Sequence, residues 1–293
     1  MKLLVATEHH PITPARYMVE ALASLPDVEV RHIGSPRGGN TGFSDEDRPD
    51  LIWEPQGGYQ TYWSDWKPDL ILYQETISDY YHHEKYADVP HIWYFTAGLM
   101  DNVMRGMTHY FHAASYGPNW DKVPDRMTWL PCAYKPELHT PSTIPWDDRE
   151  YDICLIGRQD PPREAYLQAF QEAGLKVFAG KGLVNGDYVA AYHNSRLSLL
   201  EHYCRIVPMR TFESAAMGNL LFSQWFADYD KLGIRGVSIL PCALDEAVTA
   251  AQELLSQPDK CQELVAQSLA WVQPHTYAAR AQVIVNWYKE AIE

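Results

Sequence analysis

The sequence predicts an α/β protein of two doubly wound units in tandem, each a parallel sheet with helices on both faces. Three observations carry this. Short apolar runs alternate with helix-periodic stretches almost from end to end, the rhythm of parallel strands buried on both sides. Four prolines crowd the stretch from Pro131 to Pro145, with Thr140, Ser142 and Thr143 among them, as in a linker. Beyond it the alternation begins again, and 293 residues suffice for two domains of ordinary size.

The first strand is read from Met1-Lys-Leu-Leu-Val-Ala-Thr7, an apolar run too short for a signal peptide. Pro14 to Leu25 places Tyr17, Met18, Ala21, Leu22 and Leu25 on one helical face, and Val28 to Ile33 closes a first βαβ unit. Gly34 to Gly58, rich in Gly, Pro, Asp and Arg, reads as a loop. Further strands are expected at Leu70–Tyr73, His91–Phe95, His109–His112 and Met127–Leu130. In the second series the expected strands are Ile153–Ile156, Lys176–Phe178, Leu197–Leu200, Leu220–Phe222 and Val237–Leu240. Helices fall between them at Arg163–Ala173, at Tyr188–Ser195 and from Arg210. Leu244 to Leu255 and Cys261 to Ile292 read as terminal helices interrupted near Pro274. The expected domains are 1–138, 139–273 and a last helix, 274–293, returning to the first. Ligands of such sheets bind beyond the carboxyl ends of the strands, so two facing units imply a cleft.

Composition narrows the class. No segment approaches the ~18 continuous apolar residues of a membrane span. Five cysteines, Cys132, Cys154, Cys204, Cys242 and Cys261, form no CxxC pair and point to a reduced, cytoplasmic protein. The net charge is −14, and residues 1 to 140 carry 11 Lys/Arg against 19 Asp/Glu. A phosphate polyanion is therefore repelled unless a basic groove is locally concentrated. Neither GxxxxGK[ST] nor GxSxG occurs, which removes P-loop ATPase and standard esterase readings.

The segment Arg210-Thr-Phe-Glu-Ser-Ala-Ala-Met-Gly218 puts an Arg and a Glu at the start of a short helix that a Gly ends before the run Leu220-Leu-Phe222. Free N–H groups and the positive dipole end favour a diphosphate there. Arg210 offers forked donors to phosphate oxygens, and Glu213, acceptor-only when ionised, suits the hydroxyls of a ribose. The bland alternative is an i,i+3 surface ion pair. Gly157-Arg158 follows a predicted strand, where Gly permits close approach and Arg reaches a diphosphate, or else forms a plain turn. Arg163 either joins that site or merely caps its helix.

Arg-x-Phe-Glu-x-x-x-x-Gly, followed by His275-Thr-Tyr-x-x-Arg280, resembles the C-terminal half of the CgeB-like spore-maturation glycosyltransferases, a branch of the GT-B superfamily. Tyr151-Asp-Ile-Cys-Leu-Ile-Gly157-Arg158, with Arg163 opening the next helix, resembles the start of that family's donor domain. The resemblance implies GT-B architecture with two Rossmann-like domains, and a retaining, metal-independent transferase using a nucleotide-diphosphate sugar, UDP-sugar foremost, with no other cofactor. The implied donor set is Gly157, Arg158, Arg163, His202, Arg210, Thr211, Phe212 and Glu213. In related retaining enzymes a second glutamate lies eight positions earlier; here that position is Arg205, and Glu201 and His202 are the nearest substitutes.

In the first unit, His9 and His10 follow the first strand, while Thr96, Gly98 and Asp101 follow another. His9, Thr96 and Gly98 are candidates for acceptor binding, and His10, Asp101 and Glu201 for catalysis; for each, an ordinary loop role is the alternative. Trp53, Tyr59, Tyr62, Trp63 and Trp66 could form a platform for a sugar ring or a base. His82-His83, His109 with His112, and His202 with Cys204 supply no complete tetrahedral set, so no metal site is expected. The acceptor is left as a glycan or a hydroxymethylated DNA base of phage type. A non-catalytic nucleotide-sugar module and an epimerase are the readings from other classes. The chain is expected to be a monomer or weak dimer.

Overall fold

A computed structural model describes residues 1–7, 13–34, 51–52, 66–74, 86, 88–96, 107–115, 124–200, 206–223, 227–234, 239–240 and 244–292. The chain divides into two compact units, Met1–Cys132 with Tyr277–Glu293, and Ala133–Thr276.

The first unit holds β1 (Lys2–Thr7), α1 (Pro14–Ala23), β2 (Glu29–Gly34), β3 (Leu51–Ile52), β4 (Leu70–Gln74), β5 (His91–Phe95), β6 (His109–His112) and β7 (Met127–Trp129). They form a seven-stranded sheet in the order β3-β2-β1-β4-β5-β6-β7, with every pair parallel. The order reverses between β1 and β4, which register Leu3 on Leu70 through Thr7 on Gln74. Alternation divides β1 between two buried faces. Leu4 and Ala6 join Ile71, Tyr73, Trp93 and Tyr110, whereas Leu3 and Val5 turn the other way and are equally enclosed.

The Thr13 hydroxyl caps α1 by accepting from the Arg16 N–H, with Pro14 opening the helix where its missing donor costs nothing. Four of the five residues expected on its apolar face are buried; Leu25 lies beyond the helix end, half-buried. Within the segment expected to be a loop, β3 pairs with β2 through Ile33 on Leu51 and Gly34 on Ile52. Two residues are too few for period-two alternation to be legible. Trp66 is not an exposed platform residue but a buried one, its indole N–H donating to Glu29 and the Arg31 guanidinium over its ring. Trp53, Tyr59, Tyr62 and Trp63 lie outside the described residues.

The second unit holds β8 (Tyr151–Ile156), α2 (Pro161–Glu172), β9 (Val177–Gly180), α3 (Asn185–His193), β10 (Ser195–Leu200), α4 (Met209–Ala216), β11 (Leu220–Ser223), α5 (Asp228–Lys231), β12 (Ile239–Leu240), α6 (Leu244–Leu255) and α7 (Pro258–Val272). Its five parallel strands run β12-β11-β10-β8-β9. The order reverses between β8 and β10. One face packs Ile153, Leu155, Leu197, Leu199 and Phe222 against α2, α6 and α7; the other packs Cys154 and Ile156 against Tyr188 and Tyr192 of α3. The boundary between the units falls within the proline-rich stretch, after Cys132, and residues 133–145 belong to this unit, with Tyr134 bridged to Thr276 and His139 buried. Among the described residues, no helix is long and apolar enough to cross a membrane.

The last helix, α8 (Tyr277–Ala291), belongs to the first unit. It turns Tyr277, Arg280, Ala281, Ile284, Val285 and Tyr288 inward, and Tyr277 meets Tyr17 of α1 with ring centroids 5.5 Å apart. Buried Arg280 donates from Nε to the Pro131 carbonyl at 2.8 Å, and its Nη2 reaches the Cys132 carbonyl at 3.4 Å. Truncating it leaves two carbonyls without that donor. Arg280→Ala is expected to destabilise the first unit by ~2 kcal/mol and to raise amide exchange in α8 before it does so in α7. Equal protection of both helices in the variant and the wild type contradicts this.

Candidate functional site

The second sheet reverses order beside β8, and three features meet at the carboxyl end of that strand. Gly157 turns the chain with φ +130°, a conformation that disfavours any side chain, while its N–H donates to the Gly180 carbonyl at 2.8 Å. Space imposes the same choice, because a Cβ at 157 would lie 2.6 Å from Nη1 of Arg210. That guanidinium donates to the carbonyl of Ile156. That bond joins Arg210 to Ile156 across 54 residues of sequence and brings the guanidinium against Gly157, with Arg158 exposed next to them.

Arg210 comes from the first turn of α4, whose N-cap is Pro208. No side chain caps that turn and no acidic residue lies in it. The positive end of the helix and the guanidinium therefore add where an anion would bind. Gly218, at φ +78°, releases the chain from the helix toward β11. The buried Arg149 donates to the Gly218 and Ser195 carbonyls, fixing that exit against the start of β10.

Glu213 lies one turn further along α4 and is no surface ion-pair partner: its side chain is 0% exposed. Oε2 accepts from the Tyr188 hydroxyl at 2.6 Å. Oε1 faces Nε2 of His139 at 3.3 Å but has no well-aligned hydrogen bond, so the contact is one of proximity. Nδ1 of His139 accepts from the Lys135 N–H, which leaves the ring proton of a neutral imidazole on Nε2, toward Glu213. Burial, with the nearby Lys135 charge, holds that imidazole down to about 3. Burial likewise pushes the Glu213 carboxyl up to about 7, against the lowering effects of the Tyr188 hydroxyl and the Arg210 charge. Tyr188, buried and facing a carboxylate, is raised well above its ordinary value and stays a hydroxyl donor.

The remaining expected residues divide by location. Arg163 is a buried brace for its own loop rather than a free phosphate contact, donating to the Arg158 carbonyl at 2.6 Å and lying 3.8 Å from Asp160. Phe212 faces the core, its ring centroid 5.6 Å from that of Trp271 and 5.4 Å from that of His275. It sits about 200° around the helix from Arg210. Thr211 is buried as well. Thr96 is buried just beyond β5, in the first unit. His9, His10, Gly98, Asp101, Glu201, His202 and Arg205 lie outside the described residues.

His275 and Arg280 of the downstream motif serve packing and carbonyl binding. Sequence reasoning missed His139 as a neighbour of Glu213, since nothing in a proline-rich stretch announces a partner on a distant helix. Tyr188 and Tyr192, at i,i+4 on α3, were the available signal. Among the described residues, no group of three His, Cys, Asp or Glu converges as a metal site would require. The acidic pair Asp228 and Asp230 lies on the short helix α5.

Residues 99–286 match the model of a family described as glycosyl transferase-like. The chain belongs to that family, and with its two Rossmann-like units it is a glycosyltransferase of the GT-B type. It is similar in fold to sucrose-phosphate synthase from Thermosynechococcus elongatus, with a TM-score of 0.69 at 13% identity over 99% of both chains. It is similar also to Anabaena HepE in complex with UDP and glucose, with a TM-score of 0.69 at 10% identity over 99% of this chain and 100% of that one. A UDP-N-acetylglucosamine 2-epimerase shares the fold with a TM-score of 0.60, at 12% identity over 100% of this chain and 97% of that one. No curated protein sequence matches the chain.

The Glu213 environment makes a prediction about pH. Its folded value is raised from 4.5 to about 7, so its contribution to stability is present below 4.5 and lost as pH rises through about 7. Wild type is expected to lose stability relative to Glu213→Gln between pH 5 and pH 8, by an amount on the order of 3 kcal/mol. Thermal unfolding of both proteins at the two pH values checks this. A difference independent of pH contradicts it.

Proposed function

We propose that the chain transfers a sugar from a nucleotide-diphosphate donor, foremost a UDP-sugar, to a hydroxyl of a glycan, with retention of configuration and without a metal. The observation that carries this reading is the meeting of Arg210 with the Gly157 turn beside an uncapped helix start. As the bond from the anomeric carbon to the diphosphate breaks, negative charge gathers on the departing phosphate oxygen. A guanidinium and a helix dipole already aimed there stabilise that charge without reorganising, the role a divalent cation plays elsewhere. UDP is bound in the similarly folded HepE, which makes uridine the first nucleotide to try.

In this reading Gly157, Arg158 and Arg210 take the diphosphate, and Oε1 of Glu213, which retains acceptor capacity, takes a ribose hydroxyl. His202 completes the donor wall, with Glu201 as the contact to the sugar in place of the glutamate whose position Arg205 occupies. The first unit takes the acceptor, through His9, Thr96 and Gly98. His10 and Asp101 are the groups that would manage its proton. Retention is what the resemblance of Arg210-x-Phe-Glu-x-x-x-x-Gly218 to the CgeB-like enzymes implies; a front-face reaction can pass the acceptor proton to the departing phosphate oxygen. A neutral glycan suits a chain of net charge −14 better than DNA does. The buried thiols of Cys154 and Cys261, which form no disulfide, suit a cytoplasmic setting.

Calorimetry with UDP tests the donor assignment. Arg210→Ala is expected to raise the UDP Kd by about 10- to 100-fold, the loss of a charge-assisted fork, whereas a chelator should leave the wild-type Kd unchanged. An unaltered Kd in Arg210→Ala, or a Kd that collapses on chelation, contradicts the proposal.

A further inference from the structure

The first sheet carries a polar group that its own fold does not use. Gln74 ends β4 and is 0% exposed, and neither Nε2 nor Oε1 finds a hydrogen-bond partner among the described residues. A glutamine amide brings two donors and two acceptor lone pairs. Enclosing all of them unmet costs more than a typical hydrogen bond returns. An apolar residue of the same length would fill the place without that cost.

The position of Gln74 supplies the second observation. It registers with Thr7, the last residue of β1, on one side and with Tyr94 of β5 on the other. β1 and β4 are the strands between which the sheet reverses order, the point in an open parallel sheet where ligands bind beyond the carboxyl ends. Tyr94 spends its hydroxyl on the Pro131 carbonyl at 3.2 Å. The side chains of Gln74 and Thr7 share a face by alternation, and neither carries a charge.

We propose that the Gln74 amide is a binding position for a pair of neutral sugar hydroxyls on the acceptor. A hydroxyl both donates and accepts, as the amide does, whereas a phosphate only accepts and would leave the amide carbonyl unmet. The proposal rests on the reading that the first unit takes the acceptor, and it narrows that acceptor to an uncharged glycan moiety.

The test is a neutral-oligosaccharide array probed with the whole chain, alongside calorimetry with UDP and thermal unfolding. Gln74→Leu and the unbranched Gln74→Met are expected to weaken binding of the best neutral glycan about tenfold. Both should leave the UDP Kd within about twofold and keep or raise the unfolding midpoint. Unchanged glycan affinity in both variants overturns the proposal, because the amide then holds only water or nothing. A lowered midpoint in both overturns it too, since the amide would then have a structural partner. Failure of a UDP-binding wild type to retain any neutral glycan is a third overturning result. Failure of the wild type to bind UDP strikes instead at the donor assignment in the other unit, and the array still decides the role of Gln74.

Discussion

The guanidinium of Arg210, donating to the carbonyl that ends β8, fixes the arrangement of the second unit's site from both directions. On the strand side it occupies the space a side chain at 157 would need, so the turn must be Gly, and the φ of +130° that Gly157 adopts agrees with that demand. On the helix side it sets the phase of α4. With Arg210 directed at the strand end, Phe212, Ala215 and Ala216 point into the core, and Phe212 stacks on Trp271. One contact thereby places a cation, an uncapped helix start and a glycine turn together at a strand-order reversal.

That arrangement is held by polar groups deep in the same unit. Arg149 binds the carbonyls of Ser195 and Gly218, and Asn219 binds those of Tyr192 and Ser195, so the entry to β11 is pinned to the entry to β10. These are main-chain acceptors that a parallel sheet leaves at its ends, and buried donors satisfy them. Glu213 is of another kind. Its carboxyl is enclosed beside a neutral imidazole and a hydroxyl, with the Arg210 charge offsetting part of the cost of burial. A carboxyl kept near neutrality can change its hydrogen-bonding character over ordinary pH, acting as donor and acceptor when protonated and as acceptor alone when ionised.

Much of this was legible in the sequence where local rules suffice. Alternating runs identified β1, β4, β5, β6 and β8, because strands buried on both faces are continuous apolar segments. Pro208 and Gly218 bracketed α4, since one cannot continue a helix backwards and the other tolerates positive φ. Leu244 to Leu255 was readable as α6 from its period alone. What escaped were relations between distant residues. The prolines near 131–145 suggested a linker, yet His139 from that stretch is buried against Glu213. Arg163 looked like a phosphate ligand, but the Arg158 carbonyl lies within its reach and the buried Asp160 beside it. Phe212 could have been excluded on helical phase, being on the opposite side of α4 from Arg210.

The claim that Gly157 and Arg210 form one anion site is best tested by a double-mutant cycle on UDP affinity with Gly157→Ala, Arg210→Ala and the pair. A methyl at 157 meets the guanidinium, so Gly157→Ala should weaken UDP binding more in the wild-type background than once Arg210 is removed, where only the strain of the positive φ remains. A coupling energy of about 1 kcal/mol or more agrees with the account. Additive effects, within the ~0.3 to 0.5 kcal/mol typical of independent sites, would contradict it.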